Sequence, residues 1–254
     1  MEMVTDPVFW VLLGQIFLVN IVLSGDNAVV IALAARSLPL HQQKQAVMWG
    51  AGAAVVMRII LTIVAVKLLE LPYLRIIGAL LLFWIAVKLL VPEGDDDDVE
   101  GSDNLWKAIK TILIADLVMS LDNVLGVAAV AKGNITLLVI GLAISIPLVI
   151  YGAQLLMKLM DKWPIIITIG AALLGWVAGE MLMTDPAWKD WIDATLPWLH
   201  VHVWKIEFNW VQVLGAAFVV IVGKYLAGRA EAANESAHKI VDLAAADQQN
   251  QANK

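Results

Sequence analysis

Seven apolar stretches alternate with short polar segments along the chain, and each stretch is long enough to cross about 30 Å of hydrocarbon as an α-helix. They cover approximately residues 8–35, 46–67, 72–91, 105–131, 135–157, 164–183 and 210–226. The tail after Gly228 is rich in Ala, Gln, Asn and charge, so we expect it to be a frayed helix or disordered. The pattern predicts an all-α fold, a polytopic membrane bundle of seven transmembrane helices.

The composition of the 254-residue chain agrees with a membrane protein. Hydrophobic residues make up 61% of it, charged residues make up 16%, and the mean hydropathy is +0.80. The formal net charge of −6 offers no basic stripe for nucleic acid. The sequence has no cysteine, which excludes disulfides, thiolate metal sites and cysteine nucleophiles. Residues 1–7 carry no Lys or Arg, so we expect no cleaved signal peptide.

Lys and Arg residues near the helix ends indicate how the bundle is oriented. With the N-terminus outside, more of them lie on the inner than on the outer side of the membrane, as the positive-inside rule requires. We therefore expect a bacterial inner-membrane protein with an external N-terminus and a cytoplasmic C-terminus. The acidic run Asp95–Asp98 then lies in the cytoplasm, and the Trp- and His-bearing stretch 188–204 lies outside.

Two motifs recur in the same order in the two halves of the chain. NIVLSGDN at 20–27 recurs as DLVMSLDN at 116–123, and IGALLLFWIA at 77–86 recurs as IGAALLGWVA at 169–178. A unit with an odd number of spans re-enters the membrane in the opposite sense, so the two units become inverted repeats, as in many secondary transporters.

The repeats divide the chain into three parts. We predict a first three-helix repeat with its acidic linker at 1–104 and a second three-helix repeat with an outer segment at 105–208. A seventh helix and a cytoplasmic tail follow at 209–254.

Each copy of the first motif gives one helix face a polar stripe with i, i+4, i+7 spacing. The stripes are Asn20, Ser24 and Asn27 in the first copy and Asp116, Ser120 and Asn123 in the second. Asp26 and Asp122 lie about 100° from the stripes, because successive helical residues are rotated by about that angle. Gly25 could loosen the first helix and bring Asp26 into line, whereas Leu121 in the second copy argues against a break there.

These polar residues suggest a cation site. An ionised carboxylate at bilayer depth costs at least about 2.5 kcal/mol, so a duplicated one favours function over the alternative of hydrogen-bonded helix contacts. Carboxylate, amide and hydroxyl oxygens are hard ligands that suit Mn²⁺, Mg²⁺ or Ca²⁺. The four His residues lie outside the predicted spans. The predicted ligands are Asp26, Asn27, Asp122, Asn123, Asp116, Asn20, Ser24 and Ser120.

Three further features are candidates for a role at the site. Arg58 lies near the centre of the second span, where it pairs with Asp26 or Asp122 as a structural ion pair or occupies the site when metal is absent. Glu180 lies close to an interface and is a weaker candidate. The segment 184–208 forms either an outer metal vestibule with His200 and His202 or an interfacial helix.

At residues 24–27 and 120–123 the sequence resembles the TerC family of integral membrane proteins, and it looks most like the bacterial membrane-only branch. The resemblance covers about residues 8–226. It implies kinship with LysE-type and cation-exporting transporters, tellurium resistance by name and, as in several members, manganese export. It also implies which residues are the family's motif acids and amides: Asp26, Asn27, Asp122 and Asn123.

Our preferred hypothesis is a secondary transporter, not an enzyme, that exports Mn²⁺ by alternating access between the two repeats. Asp26 and Asp122 supply charge, and Asp116 is a third acid or a proton-coupling site. We expect no resident cofactor, because the divalent cation is cargo. The expected partners are the lipid bilayer, the cation, and either further copies of the chain or exported metalloproteins, with no nucleic acid.

Two alternatives stay open. One is an exporter of an oxyanion, in keeping with tellurium resistance, or of a basic amino acid; an oxyanion site wants cations, and only Arg58 is placed to supply one. The other is a membrane scaffold that assists the insertion or metallation of exported proteins, using the segment 184–208 and the acidic linker.

The first prediction concerns topology. A reporter fused after Gly228 should behave as cytoplasmic, and a reporter inserted within 188–204 should behave as external, because positive charge favours that orientation. Paired alkaline phosphatase and green fluorescent protein fusions at both positions measure this. The opposite pattern at both positions would contradict the predicted orientation.

Overall fold

The computed structural model describes residues 7–22, 25–68, 71–91, 101–131, 135–203 and 206–252. The helices are α1 (Pro7–Val22), α2 (Gly25–Ala35), α3 (Leu40–Leu68), α4 (Leu74–Leu90), α5 (Gly101–Ala131), α6 (Ile135–Lys162), α7 (Ile165–Met183), α8 (Lys189–Thr195) and α9 (Trp210–Ala252). A 3₁₀ turn, Pro197–Leu199, and two antiparallel strands, β1 (His200–Val203) and β2 (Ile206–Asn209), precede α9.

The predicted helical class is confirmed, and four predicted spans reappear as single helices long and apolar enough to cross a membrane. Within the described residues these segments are Leu40–Thr62, Val139–Lys162, Ile165–Met183 and Trp210–Ala233. The first predicted span is covered by α1 and α2, and residues 23 and 24 between them lie outside the described residues. The third is α4, with 17 residues, and the fourth is α5, whose side chains beyond Leu121 lie outside the described residues.

The two predictions near the C-terminus have different outcomes. The tail after Gly228 is helical as far as Ala252, in continuation of α9, which agrees with the helical alternative. The segment 184–208 is not one interfacial helix, because the short helix α8 and a 3₁₀ turn are followed by a two-stranded hairpin. Its strands, HVHV and IEFN, alternate polar and apolar residues with the period of two that favours a strand over a helix.

The bundle is built around α2, which packs against α3, α5, α6 and α7. Eight residues of this 11-residue helix are buried, so apolar contacts surround it on nearly every side. A second cluster, Phe9, Leu13, Ile16 and Leu142, joins α1 to α6. Large apolar side chains such as Val56, Ile60 and Leu214 point outwards and are exposed. Helices that are apolar on both their inner and outer faces are those expected in a membrane.

The helices α7 and α9 touch backbone to backbone. A Cβ atom added at Gly175 would lie 2.5 Å from the carbonyl oxygen of Gly215, so the close approach requires glycine at this position. Such small residues let membrane helices gain packing contacts where lipid supplies no hydrophobic driving force.

Asp185 fastens one end of the bundle. This fully buried residue follows α7, and its carboxylate accepts hydrogen bonds from the backbone N–H groups of Tyr73, Arg75 and Ile76, at 3.0, 3.1 and 3.2 Å. The Ala187 N–H donates a fourth, at 2.8 Å. The first three donors belong to the start of α4, so Asp185 caps that helix from another part of the chain.

The hydrogen bonds to Asp185 offset backbone strain at Tyr73 and stabilise the charged form of the Asp185 carboxyl. Tyr73 has a left-handed backbone, with φ of 69°, which costs about 1–2 kcal/mol in a residue other than glycine. Burial would raise the pKa of the Asp185 carboxyl, but the four N–H donors stabilise its charged form and hold the pKa below its ordinary value.

A reciprocal pair of hydrogen bonds starts α9 at the same end of the bundle. The Asn209 N–H donates to Gln212 Oε1 at 2.8 Å, and the Gln212 N–H donates to Asn209 Oδ1 at 2.9 Å. This is the capping-box arrangement, which satisfies two N–H groups that a helix start leaves free. Gln212 Nε2 also donates to Glu180 Oε2 at 3.1 Å, which ties α9 to α7.

The second prediction concerns this cap. Asp185→Asn keeps the shape but removes the charge, so we expect it to lower the free energy of unfolding by about 1–3 kcal/mol. The measurement is thermal unfolding of the purified protein, followed by tryptophan fluorescence. Because the folded pKa is below the unfolded value of about 3.9, the wild type keeps this stabilisation above pH 4 and loses it as the pH falls further.

Asp190→Asn is the matched control, because Asp190 is exposed in the same outer segment. Equal unfolding midpoints for the two variants at neutral pH would show that the Asp185 cap contributes nothing.

Candidate functional site

A buried network joins α3 to α5 inside the bundle. Arg58 Nη2 donates to Asp116 Oδ1 at 2.5 Å, and Arg58 Nε donates to Ser120 Oγ at 2.9 Å. Ser120 Oγ in turn donates to Asp116 Oδ2 at 3.2 Å. The three residues are 5%, 6% and 0% exposed, so the charges of Arg58 and Asp116 are removed from solvent together.

Local helical structure positions each member of this network. Asp116 and Ser120 are spaced i, i+4 on the continuous helix α5, so they lie on one face, as the stripe predicts. Arg58 lies on α3, which packs against α5. One turn later, the buried Thr62 donates its hydroxyl to the carbonyl oxygen of Arg58 at 2.7 Å, which keeps the Thr62 hydroxyl satisfied within the helix.

The first motif copy meets the same network. Asp26 lies in the first turn of α2, half-buried, and the buried Asn27 donates its backbone N–H to Asp26 Oδ1 at 2.8 Å. Asp26 is close enough to Arg58 and Asp116 for both charges to act on it. Asp116 of the second copy therefore pairs with the buried Arg58, and Asp26 of the first copy lies within electrostatic range of that pair.

The remaining predicted ligands lie outside what the structure describes. Ser24 is outside the described residues altogether, and so are the side chains of Asn20, Asp122 and Asn123. Across the described side chains, no group of three or more His, Asp or Glu residues could hold a metal ion. The described part of the site thus supplies the Asp116 carboxylate and the Ser120 hydroxyl at Arg58, with Asp26 and Asn27 at the start of α2.

The described ion pair of Arg58 is with Asp116, an acid that we did not predict as its partner. The reason is the packing of α3 on α5, which the sequence does not specify: it puts Arg58 opposite the face that carries Asp116 and Ser120. The predicted pairing with Asp122 lies outside the described side chains. Asp26 is within range of the charge of Arg58.

Two other candidates take part in different contacts. Glu180 is exposed and accepts the Gln212 hydrogen bond, so it belongs to the junction of α7 with α9. His200 and His202 belong to β1, and their side chains lie outside the described residues. Asp185, in contrast, was not predicted, although an aspartate just after an apolar span and before Pro186 is a signal for a helix-capping or turn role.

Comparison with known proteins now identifies the family. Residues 5–204 match the family described as "Integral membrane protein TerC family". The chain belongs to the TerC family. The resemblance seen at the two motif copies is therefore confirmed over most of the chain, and with it the assignment as a multi-pass integral membrane protein.

Relatives of this TerC-family protein are membrane proteins of Gram-positive and Gram-negative bacteria. "Uncharacterized membrane protein YjbE" of Bacillus subtilis (strain 168) is 44% identical over 167 residues, 66% of this chain and 77% of the relative. YceF of the same strain is 28% identical over 190 residues, 71% and 74% of the two chains. "UPF0053 inner membrane protein YgdQ" of Escherichia coli (strain K12) is 25% identical over 179 residues, 63% and 75%. No solved structure matches.

The third prediction tests the buried ion pair. Arg58→Gln should lower the stability of the bundle by about 3–5 kcal/mol, because it leaves the Asp116 carboxylate buried without its cation. The double variant Arg58→Gln/Asp116→Asn should lose less than Arg58→Gln alone, because no buried charge of the pair is then uncompensated. Thermal unfolding of the purified variants measures both effects.

Lys44→Gln is the control for the loss of one positive charge, since Lys44 is exposed on the same helix α3. A double variant less stable than Arg58→Gln, with additive losses, would mean that Arg58 and Asp116 stabilise the protein independently.

Proposed function

We propose that this TerC-family protein is a secondary transporter that exports a divalent metal cation, with Mn²⁺ as its cargo. One observation carries the proposal: Asp116 of the second motif copy pairs with the buried Arg58, and Asp26 of the first copy lies within range of both charges. Buried carboxylates of a membrane protein mark ion or proton pathways, because their desolvation would otherwise select against them.

The chemistry of the donors supports a hard cation. Carboxylate, amide and hydroxyl oxygens suit Mn²⁺ and its hard neighbours, and the sequence provides no thiolate that would favour Zn²⁺ or Cu⁺. In the proposed site Asp122 and Asn123 add a further carboxylate and amide from α5, and Asn20 and Ser24 add neutral oxygens from the first copy. Two or three carboxylates balance a divalent charge that hydrocarbon cannot solvate.

In the proposed transport cycle, the state without metal is the one in which Arg58 is paired with Asp116. With the ion pair formed, the Asp116 carboxylate is neutralised by the protein's own cation. A metal that binds Asp116 has to displace the guanidinium, so arginine and metal compete for one carboxylate. In the proposed cycle Asp116 therefore has a cation as its partner both with and without cargo, and it is never left as an uncompensated buried charge.

Helix packing supports the inverted repeats that alternating access requires. The predicted symmetry exchanges α1 and α2 with α5, α3 with α6, and α4 with α7. In keeping with it, α3 packs on α5 while α6 packs on α1 and α2, and α4 packs on α5 while α7 packs on α2. The second motif is also oriented alike in both copies: Ile77 and Ile169 are 63% and 59% exposed, whereas Gly78 and Gly170 are buried.

The first motif copy extends over both α1 and α2. Residues 23 and 24 of this copy lie outside the described residues, between the two helices. In the proposed site Asn20 belongs to α1, whereas Asp26 and Asn27 belong to α2. The second copy runs through α5.

The contacts of Arg58 weigh against an oxyanion as cargo. Its guanidinium donates to Asp116 and Ser120, so the cation that an oxyanion would need is already bound to a carboxylate. The scaffold alternative has no comparable contact in its favour.

The fourth prediction concerns cargo. Cells that lack the protein should accumulate Mn²⁺ and become sensitive to it, and wild-type protein should restore efflux. Asp26→Asn or Asp122→Asn should lower Mn²⁺ uptake into inverted membrane vesicles by at least about tenfold, since even an outer partner of a metal site is worth about that much affinity. Asn20→Ala should have a smaller effect, because it removes only a neutral donor.

Asp161→Asn is the control, because Asp161 is an exposed acid at the end of α6. Immunoblots of membranes should show equal amounts of all variants. Normal Mn²⁺ efflux by the variant Asp26→Asn/Asp122→Asn would reduce the motif to helix contacts and would make the scaffold the better account. Equal efflux of Zn²⁺ and Mn²⁺ would contradict the hard-ligand site.

A further inference from the structure

A polar cavity of about 80 Å³ opens at the end of the bundle opposite Asp185. It lies where α2 ends, α4 ends and α5 begins, so three helices contribute to its wall. Its volume is several times the space that one water molecule needs. The polar residues that line it are Arg36, Ser37, Lys88, Asn104, Lys107 and Thr111. We call this cavity the basic pocket.

The charged side chains among the described residues that line the basic pocket are all positive. Arg36, Lys88 and Lys107 contribute three cations from three helices, and no carboxylate is among the described residues that line it. Arg36 is held in place, because its Nη2 donates to the carbonyl oxygen of Leu89 at 2.9 Å. Within the described residues, the ion pair Arg58–Asp116 is the salt bridge observed, and it involves none of the pocket's cations. Three cations, with no carboxylate among the described lining residues, are suited to a phosphate group.

The pocket lies at the depth of lipid headgroups. Lys88 is in the last turn of α4, and Arg36 directly follows α2. Trp84 and Trp106 are exposed next to the pocket, at 59% and 68%, and the Lys88 ammonium lies 5.4 Å from the centre of the Trp84 ring. Exposed Trp side chains at the ends of membrane helices mark the boundary between hydrocarbon and headgroups.

An apolar groove continues from the pocket along the surface of α5. The groove has a volume of about 500 Å³ and is lined by Trp106, Lys107, Ile109, Lys110 and Leu113. Lys107 lines both the pocket and the groove, so a bound molecule can place a phosphate at one end and a hydrocarbon chain at the other. A free phosphate would use only the pocket.

We propose that the basic pocket binds the phosphate of an anionic phospholipid, with an acyl chain of that lipid in the groove on α5. The lipid bridges the ends of α2, α4 and α5, and α2 and α5 also carry Asp26 and Asp116. The assignment is independent of the cargo: it concerns a different end of these helices and stands whether or not Mn²⁺ is transported.

Native mass spectrometry of the purified full chain tests the assignment. Phosphatidylglycerol or phosphatidylcholine is titrated into detergent micelles, and the bound fraction gives an apparent dissociation constant for each. We expect tighter binding of phosphatidylglycerol, because its net negative charge matches the three cations. Inorganic phosphate and glycerol 3-phosphate, tested as competitors at equal concentrations, distinguish a lipid from a soluble phosphate.

The variant Lys88→Gln/Lys107→Gln removes two cations and leaves the Arg36 contact intact. It should weaken the binding of phosphatidylglycerol by about thirtyfold, taking about fivefold per lysine near a membrane surface. Lys158→Gln/Lys224→Gln is the matched control, with the same charge change at exposed residues of α6 and α9 outside the pocket. Unfolding midpoints in phosphatidylcholine should be alike for both variants.

Three results would overturn the proposal. The first is equal affinity of wild type and Lys88→Gln/Lys107→Gln for phosphatidylglycerol. The second is full displacement of the lipid by inorganic phosphate, which would make the pocket a soluble-phosphate site. The third is that the wild type does not prefer phosphatidylglycerol, whereas a variant with Asp95–Asp98 changed to Asn clearly does. That result would mean that the chain's own carboxylates neutralise the pocket.

Discussion

A charge inside a membrane bundle has to be compensated inside it, and the ion pair of Arg58 with Asp116 meets that requirement. Each group alone would be a buried charge with a desolvation penalty of several kcal/mol. Together with Ser120 they form a network that is almost completely enclosed. The network fixes the facing sides of α3 and α5, and Asp26 on α2 lies within reach of its charges. The positions of three helices are thus coupled to the state of one arginine.

The two ends of the bundle differ in how their polar groups find partners. At one end Asp185 accepts four backbone N–H groups, so α4 and α7 are joined by charge-assisted hydrogen bonds that do not depend on side-chain cations. At the other end, three cations lie around a polar cavity without a described anion. The first end is internally satisfied, whereas the second is suited to a ligand.

The sequence was sufficient to identify the class of fold and the common face of Asp116 and Ser120. Membrane-spanning helices can be recognised from apolar stretches alone. Each such helix forms its backbone hydrogen bonds within itself, so its recognition does not depend on which other helix it contacts. The i, i+4 spacing of Asp116 and Ser120 predicted a common face, since that geometry is local to a helix. The alternation of polar and apolar residues in HVHV and IEFN is also a local signal, and it indicates strands. We gave it less weight than the expectation of an interfacial helix.

What lay beyond the sequence were the pairings between helices. Arg58 had more than one acid at a plausible depth, and only the packing of α3 on α5 selected Asp116. Asp185 caps a helix that begins more than 100 residues earlier, and Arg36, Lys88 and Lys107 come together from separate segments. By itself the sequence determined which residues are apolar, charged and in helical register, because these properties are carried by each segment alone. Tertiary structure alone decided which charges meet, because helices in lipid associate through close packing and hydrogen bonds, whose geometry no single segment encodes.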